Sequence, residues 1–445
     1  MVPVLPGLEA SGLRAGAAAS KLALFARSRA ALGLGRDAPH AAYFVPGRIE
    51  VLGKHTDYPG GRSLLCAAEQ GFCLVAAARR DRRVSVVNAA SGDRAELVLG
   101  PDLQPVLGHW SNYPATVLRR VARNFPEAAT GADIAFASDL PPASGMSSSS
   151  AFMIAVFLAV AAVNELDRTS AYRAAIVQPT DLAGYLATVE NGRTFGPLAG
   201  DMGVGTFGGS EDHTAILCCR AATLSQYRFA PVHFERDVPM PAGHVFAVAF
   251  SGLLAEKTGA ALATYNRASH AAARVLEIWR EASGRPVGTL EAAVAGDLAA
   301  ADRIREAIAA SGDVEFGVDL LRKRFDQFVL ESRTIVPGAG DALRAGDLAG
   351  FGALVDRSQQ AVEEWLGNQV PETAGLAREA RRLGAEAASA FGAGFGGSVW
   401  ALVAEGASGD FIRAWKQAYE RAHPEAAARA VFFETCPGPS AFRLA

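Results

Sequence analysis

Four clusters of small, polar and charged residues carry the residue types that chemistry needs. The first, residues 46–61, crowds Arg48, Lys54, His55 and Asp57 around a short apolar stretch and a Pro-Gly-Gly turn. Charges so placed are costly to bury unless each finds a partner, and a surface turn explains the glycines but not the charge-rich run before them. The second, residues 140–151, is Leu-Pro-Pro-Ala-Ser-Gly-Met-Ser-Ser-Ser-Ser-Ala, opening directly into thirteen consecutive apolar residues, 151–163. A small-residue loop entering a helix offers unpaired backbone N–H groups and a partial positive charge, which suits a phosphate. One serine would serve as a cap, and four after Gly145 suggest more. No Gly-Lys-Ser/Thr follows, so this is not a Walker loop.

The third cluster, residues 391–398, places four glycines in six residues ahead of a strand, permitting close approach of backbone to a ligand. The fourth is Gly-Gly-Ser-Glu-Asp-His at 208–213. Ser210 is placed to cap a following helix, with Asp212 in its first turn, where a carboxylate stays ionised.

Positioning these clusters takes a sizeable fold. The chain has 445 residues, half of them apolar, enough for two or three packed domains. Its 43 basic and 46 acidic residues leave a net charge of −3, which gives no reason to expect nucleic acid or an acidic membrane as partner. The apolar run 151–163 is too short to span a bilayer, which needs about 18 or more residues, and reads as a buried helix. Five cysteines without metal-ligand spacing read as reduced thiols, and the N-terminus lacks a signal-peptide pattern. A cytoplasmic protein is the expectation. The remaining histidines show no metal spacing.

Strand patterns at 84–88, 95–99 and 134–137 and a helical pattern from Trp110 to Phe125 occupy the first half. Residues 251–384 read as long helices, and strands return at 398–403 and 430–433. This order implies an α+β chain of two domains, about 20–225 and 240–445, with the break near 225–245. Only the first ~20 residues look disordered.

The clusters at 46–61, 140–151 and 391–398, in this order and at these separations, resemble the three motifs of the GHMP kinases. The first resembles the galactokinase signature in particular, through Gly-Arg-x-x-x-x-Gly-x-His-Thr-Asp-Tyr-x-Gly-Gly. Residues 110–113, 265–267 and 437–441 extend the likeness over nearly the whole chain. The resemblance implies a ribosomal-protein-S5-domain-2-like N-terminal domain and a ferredoxin-like C-terminal domain with a cleft between them. It implies ATP-dependent phosphorylation of the anomeric hydroxyl of galactose or a galactose-like sugar.

It also implies roles. Asp212 would be the catalytic base and Arg48 would position it. Lys54, His55, Asp57 and Tyr265 would face the sugar. Gly145, Ser147, Ser148, Ser149 and Trp110 would hold ATP. Ser147 and Glu190 would hold Mg²⁺, and Gly392, Gly394, Gly396 and Gly397 would support the cleft. Phosphoryl transfer needs chiefly alignment and cancellation of charge, which these groups suit.

Lys54 departs from the family, which carries glutamate there as a hydroxyl acceptor. An ammonium only donates, and a charge pair at ~4 Å and an effective dielectric of ~20 is worth roughly 4 kcal/mol before desolvation. Two readings stay open: Lys54 faces an anionic sugar such as galacturonate, or it swings away to pair with Asp57 or Glu211 and leaves galactose acceptable. A Gly-rich insertion, 198–207, lies between Glu190 and Asp212 and could reshape the site. A non-catalytic sugar and ATP sensor is the remaining alternative.

Overall fold

The computed structural model describes residues 4–35, 38–255, 261–295, 298–392 and 394–444; of residues 261–265 and 298 it describes only the backbone. Two antiparallel-rich sheets organise the chain. The larger is built on the long strands Ala41–Leu52 and Arg62–Ala78, paired from Ala41 opposite Ala76 to Leu52 opposite Leu64. Strands Ala132–Ser138, Arg83–Asn88 and Arg94–Val98 extend it on one side, and the hairpin Thr223–Arg228/His233–Pro239 pairs with the far end of Arg62–Ala78. The final strand, Phe442–Leu444, returns to pair with Ala41–Leu52. The smaller sheet has the order Val431–Thr435, His244–Phe250, Ser398–Ala404, Ala387–Ala390.

The central strand pair is buried along almost its whole length, on both faces. Helix Ser148–Val163 lies against it, apolar on every side and buried from Ser150 to Phe157. Its Phe152, Ile154 and Val156 join Ile49, Val51 and Leu64 of the strands in one core. Burial of such side chains contributes about 1.5–3 kcal/mol each. Residues 251–384 are largely helical, as their pattern predicts, including Ala261–Ser283, Val318–Leu330 and Leu348–Ala361. Helix Val318–Leu330 runs on through a π-helical turn, Glu331–Ile335, into Val336–Ala345.

The N-terminus differs from the expectation of disorder. Helices Val4–Ala10 and Ala15–Ala31 fold back on the large sheet, where Leu8, Leu13 and Phe25 pack with Phe44 and Val75. Ala18 joins them, with Leu5, Leu22 and Leu24 partly buried alongside, and the sheet supplies the rest of the surface. Among the described residues no helix is long and apolar enough to cross a membrane.

Candidate active site

Alternation along Ala41–Leu52 puts Arg48 and Glu50 on one face and Ile49 on the core face. A register shift between Pro46 and Arg48 releases the Arg48 N–H from the ladder, and it donates instead to the Met146 carbonyl at 3.2 Å. Gly47 makes this approach possible: a Cβ there would lie 2.6 Å from Leu140 Cδ2 and 2.9 Å from the Met146 oxygen. The Ser-rich loop is thus fastened by backbone to the strand that carries Arg48.

Arg48 is 3 % exposed. Its Nε and a terminal nitrogen both lie 2.8 Å from Asp212 Oδ1, and its other terminal nitrogen donates to the Gly145 carbonyl at 2.7 Å. Burial works against the guanidinium, but Asp212, Glu50 and Glu211 outweigh it and raise its pKa. Asp212 sits in the first turn of helix Glu211–Cys218, as expected. Ser210 stands at the cap position, but its side chain makes no capping bond. Asp57 does that work from the neighbouring loop: its Oδ2 accepts the Glu211 N–H at 3.1 Å and its Oδ1 the Tyr58 N–H at 2.9 Å. Gly209 lets the carboxylate in, since a Cβ there would fall 2.4 Å from Asp57 Oδ2. Burial, the largest effect, pushes Asp57 up to about 6 in spite of these bonds, with Asp212 adding repulsion.

Glu190, on helix Pro179–Asn191, accepts the Ser150 hydroxyl at 2.8 Å and lies 3.3 Å from His213 Nε2. Ser150 also lies 3.5 Å from Asp212 Oδ2, so one buried hydroxyl stands between the two carboxylates while donating to Glu190. The insertion 198–207 forms part of the wall. Its Asp201 pairs with Arg119 at 2.7 Å, its Val204 N–H donates to the Glu190 carbonyl, and Thr206 Oγ1 is 3.5 Å from Glu190 Oε1. Arg48, His55, Asp57, Glu190 and Asp212 line a single cavity with Thr206, Glu50 and Glu211.

A second cavity lies on the other side of Gly145. Trp110, Phe72, Phe136 and Phe152 form its apolar wall, and Gly145 and Ser147–149 its polar end. Trp110 stands edge-on to Phe136, with ring centres 6.5 Å apart. Ser147 holds a left-handed backbone with φ 60°, and its hydroxyl, like that of Ser144, is buried with no hydrogen-bond partner among the described residues. Such orphaned hydroxyls at a helix N-terminus fit phosphate oxygens or a hydrated cation. Gly145 and Ser147–149 therefore suit phosphates; Ser147 lines this cavity, and Glu190 the other.

Residues 112–192 match the GHMP kinases N terminal domain, 341–421 the GHMP kinases C terminal domain, and 34–79 the galactokinase galactose-binding signature. The chain belongs to the GHMP kinases, on the galactokinase-like branch. A galactokinase of Roseiflexus sp. (strain RS-1) is 29 % identical over 388 residues, covering 86 % of this chain and 88 % of the relative. A galactokinase of Actinobacillus pleuropneumoniae serotype 5b is 25 % identical over 366 residues, 82 % of this chain and 85 % of the relative. In fold the chain is similar to Lactococcus lactis galactokinase complexed with galactose, with a TM-score of 0.76, 22 % identity and 96 % of this chain and all of that one covered. L. major mevalonate kinase shares the fold less closely, at a TM-score of 0.53 and 15 % identity over 90 % of this chain and 96 % of that one.

Two expected sugar-facing residues of this GHMP kinase need comment. Tyr265 lies on helix Ala261–Ser283, but its side chain is outside the described residues. Lys54, for which the sequence leaves open an anionic acceptor or a pairing with Asp57 or Glu211, bonds elsewhere. It is fully buried, is not among the residues lining the cavity, and donates to Ser389 Oγ, which donates in turn to Gln359 Oε1 at 2.9 Å. Nor is its hydrogen bond to Asp57 or Glu211. Burial pulls its pKa down, against the fields of Glu331, Glu50 and Glu211. The physical reason is charge balance: Glu331 enters from the π-helical turn, fully buried, accepting the Gly53 N–H and the Ser358 hydroxyl, each at 2.8 Å. A carboxylate in that position needs a cation nearby.

Glu50, Ser150 and Glu211 are site residues that the motif reading passed over. Glu50 was within reach of sequence reasoning, since it stands two residues beyond Arg48 on a strand. Glu211, bonded by the Ser63 hydroxyl at 2.7 Å, has its pKa raised well above the usual range by burial and by Glu50 and Asp57.

Proposed function

We propose that this chain transfers the γ-phosphoryl group of ATP to the anomeric hydroxyl of galactose or a closely similar neutral sugar. The observation that carries this reading is the placement of Arg48. One guanidinium spans the Asp212 carboxylate and the Gly145 carbonyl, at the junction of a polar cavity and an apolar cavity that ends in orphaned serine hydroxyls. A nucleotide base suits the Trp110 wall, its phosphates the Gly145–Ser149 end, and a sugar the cavity of His55 and Asp57.

In this arrangement Asp212 receives the proton of the acceptor hydroxyl while Arg48 holds its carboxylate in place and adds positive charge beside the transferring group. Ser150 orients Asp212 and Glu190 together. Ser147 and Glu190 would hold Mg²⁺, which when bound cancels phosphate charge. The anionic-sugar alternative is the weaker reading, because the ammonium that suggested it bonds Ser389 and is not among the residues lining the cavity.

A coupled ADP-release assay with Mg-ATP against galactose, N-acetylgalactosamine, galacturonate, glucuronate and arabinose tests the reading. Phosphorus NMR of the product locates the phosphate. Galactose is expected to give a 1-phosphate, and Asp212→Asn to lower kcat by about 10²–10⁴-fold. If no sugar in the panel is phosphorylated while ATP still binds, the chain is a sensor and the proposal fails.

A further inference from the structure

The cavity contains a buried charged oxygen that its own surroundings leave unserved. Glu50 is 3 % exposed and lines the cavity beside Arg48. Its Oε2 lies 3.6 Å from an Arg48 nitrogen, but its Oε1 is buried with no hydrogen-bond partner among the described residues. Leaving a buried carboxylate oxygen unbonded is expensive. The backbone is arranged to keep it there: a Cβ on Gly392 would fall 2.4 Å from Oε1 and 2.5 Å from Oε2. Arg48 stands beside the carboxylate and Lys54 feels its field, and Oε1 remains the acceptor without a partner on this cavity-lining side chain.

We propose that Glu50 is a specificity-determining residue whose Oε1 accepts a hydrogen bond from a hydroxyl of the acceptor sugar, so that the site selects a neutral, donor-bearing sugar and rejects a uronic acid. This rests on the sugar-kinase reading and sharpens it. An ionised carboxylate only accepts, so its complement on the ligand is a donor. Glu190 and Asp212 line the same small space, and a carboxylate on the sugar would meet theirs at close range. Lys54, bonded to Ser389 and not among the residues lining the cavity, offers such an anion nothing.

The test uses the full-length chain with saturating Mg-ATP and measures kcat and KM for galactose, its monodeoxy derivatives and galacturonate. The parent protein is expected to favour galactose over galacturonate by about 100-fold or more in kcat/KM. Glu50→Gln keeps the shape but turns one acceptor into a donor. It should raise the galactose KM by about 10–100-fold, leave the ATP KM unchanged, and narrow the galactose-to-galacturonate ratio. One deoxy sugar should lose nothing further in this variant, which identifies the hydroxyl that Glu50 holds. Gly392→Ala provides a second approach should Glu50→Gln fold poorly: a methyl against the carboxylate should move the sugar KM in the same direction. Unchanged sugar KM in both variants, strict additivity for every deoxy sugar, or a parent that uses galacturonate as well as galactose would overturn the proposal while sparing the kinase reading. A parent that phosphorylates no sugar would remove both.

Discussion

Replacing Lys54 with methionine separates a structural role from a substrate-binding one. Methionine keeps much of the stem and removes the ammonium. Glu331 would retain its bonds from the Gly53 N–H and Ser358 but lose the nearest opposing charge, and Glu50 and Glu211 would lose part of theirs. Breaking a buried charge arrangement by removing one member costs about 3–5 kcal/mol. For a domain of 150–250 residues each kcal/mol shifts Tm by about 2–4 °C, so the expected drop is about 6–20 °C at pH 7. The deficit also has a pH signature. The pKa of Glu331 is already raised above its ordinary 4.5 by burial, and Lys54 is the main charge restraining it. Without Lys54 it rises further, and a carboxyl whose folded pKa is raised contributes stability that is present below about 4.5 and lost as pH rises through the folded value. The Lys54→Met deficit should therefore shrink as pH falls towards 4.5 and widen towards neutrality. Differential scanning fluorimetry across pH 4.5–8, with galactose and galacturonate turnover in parallel, provides the check. A variant that melts like the parent but exchanges one sugar for the other would refute the counter-ion argument and restore Lys54 to the substrate side.

Three further outcomes follow from the same geometry. Ser150→Ala removes the hydroxyl between Glu190 and Asp212 and should lower kcat about tenfold with little change in the ATP KM; steady-state kinetics showing an unchanged kcat would remove Ser150 from the positioning set. Asp57, pushed up to about 6 by burial, favours folding in its protonated form, so its contribution is complete below its ordinary 3.8 and lost as pH rises through about 6. Asp57→Asn should flatten that part of the Tm–pH curve, and a curve parallel to the parent's would contradict the assignment. Arg119→Met leaves Asp201 with Arg123 at 3.1 Å as its ion-pair partner. It should speed amide exchange across 198–207 and raise the sugar KM, because Thr206 at the end of that segment lines the cavity; exchange at the parental rate would show that the pair does not hold the wall.

What was legible in the sequence was chemistry concentrated in short segments. A serine-rich loop ahead of an unbroken apolar helix is a local statement, and the helix Ser148–Val163 with its N-terminus at Ser147–149 follows it closely. Arg48, Asp57, Glu190 and Asp212 are distributed over three segments, and only the ordered motifs indicated that they belong to one cavity. The direction of Lys54 was beyond reach for a different reason. It is decided by Ser389, 335 positions away, and by Glu331, whose bonded partner Gly53 lies 278 positions from it. A lysine in a charge-rich run gives no sign of a carboxylate arriving from a π-helical turn so far along the chain. Ser210 is a similar case: its type suits a cap, but its side chain makes no capping bond, and Asp57 reaches the helix from another loop to accept the Glu211 N–H.

The neighbouring placements of Glu50 and Lys54 make sense as one charge arrangement rather than two substitutions. A lysine pointing into the cavity would have required Glu331 to lie buried with its bonds to Gly53 and Ser358 but no opposing charge, which is the costlier arrangement. With the ammonium turned inward, Glu331 is balanced, and an acceptor for the ligand must come from somewhere else on the cavity wall. Glu50 is placed to supply it, because it shares a strand face with Arg48 and has the space left by Gly392. If Glu50 receives a sugar hydroxyl as proposed, the acceptor that the family carries at position 54 is provided from position 50. The sign of the charge at position 54 then reports how the interior around Glu331 is balanced, while the proposed sugar acceptor stands beside the arginine that bonds Asp212.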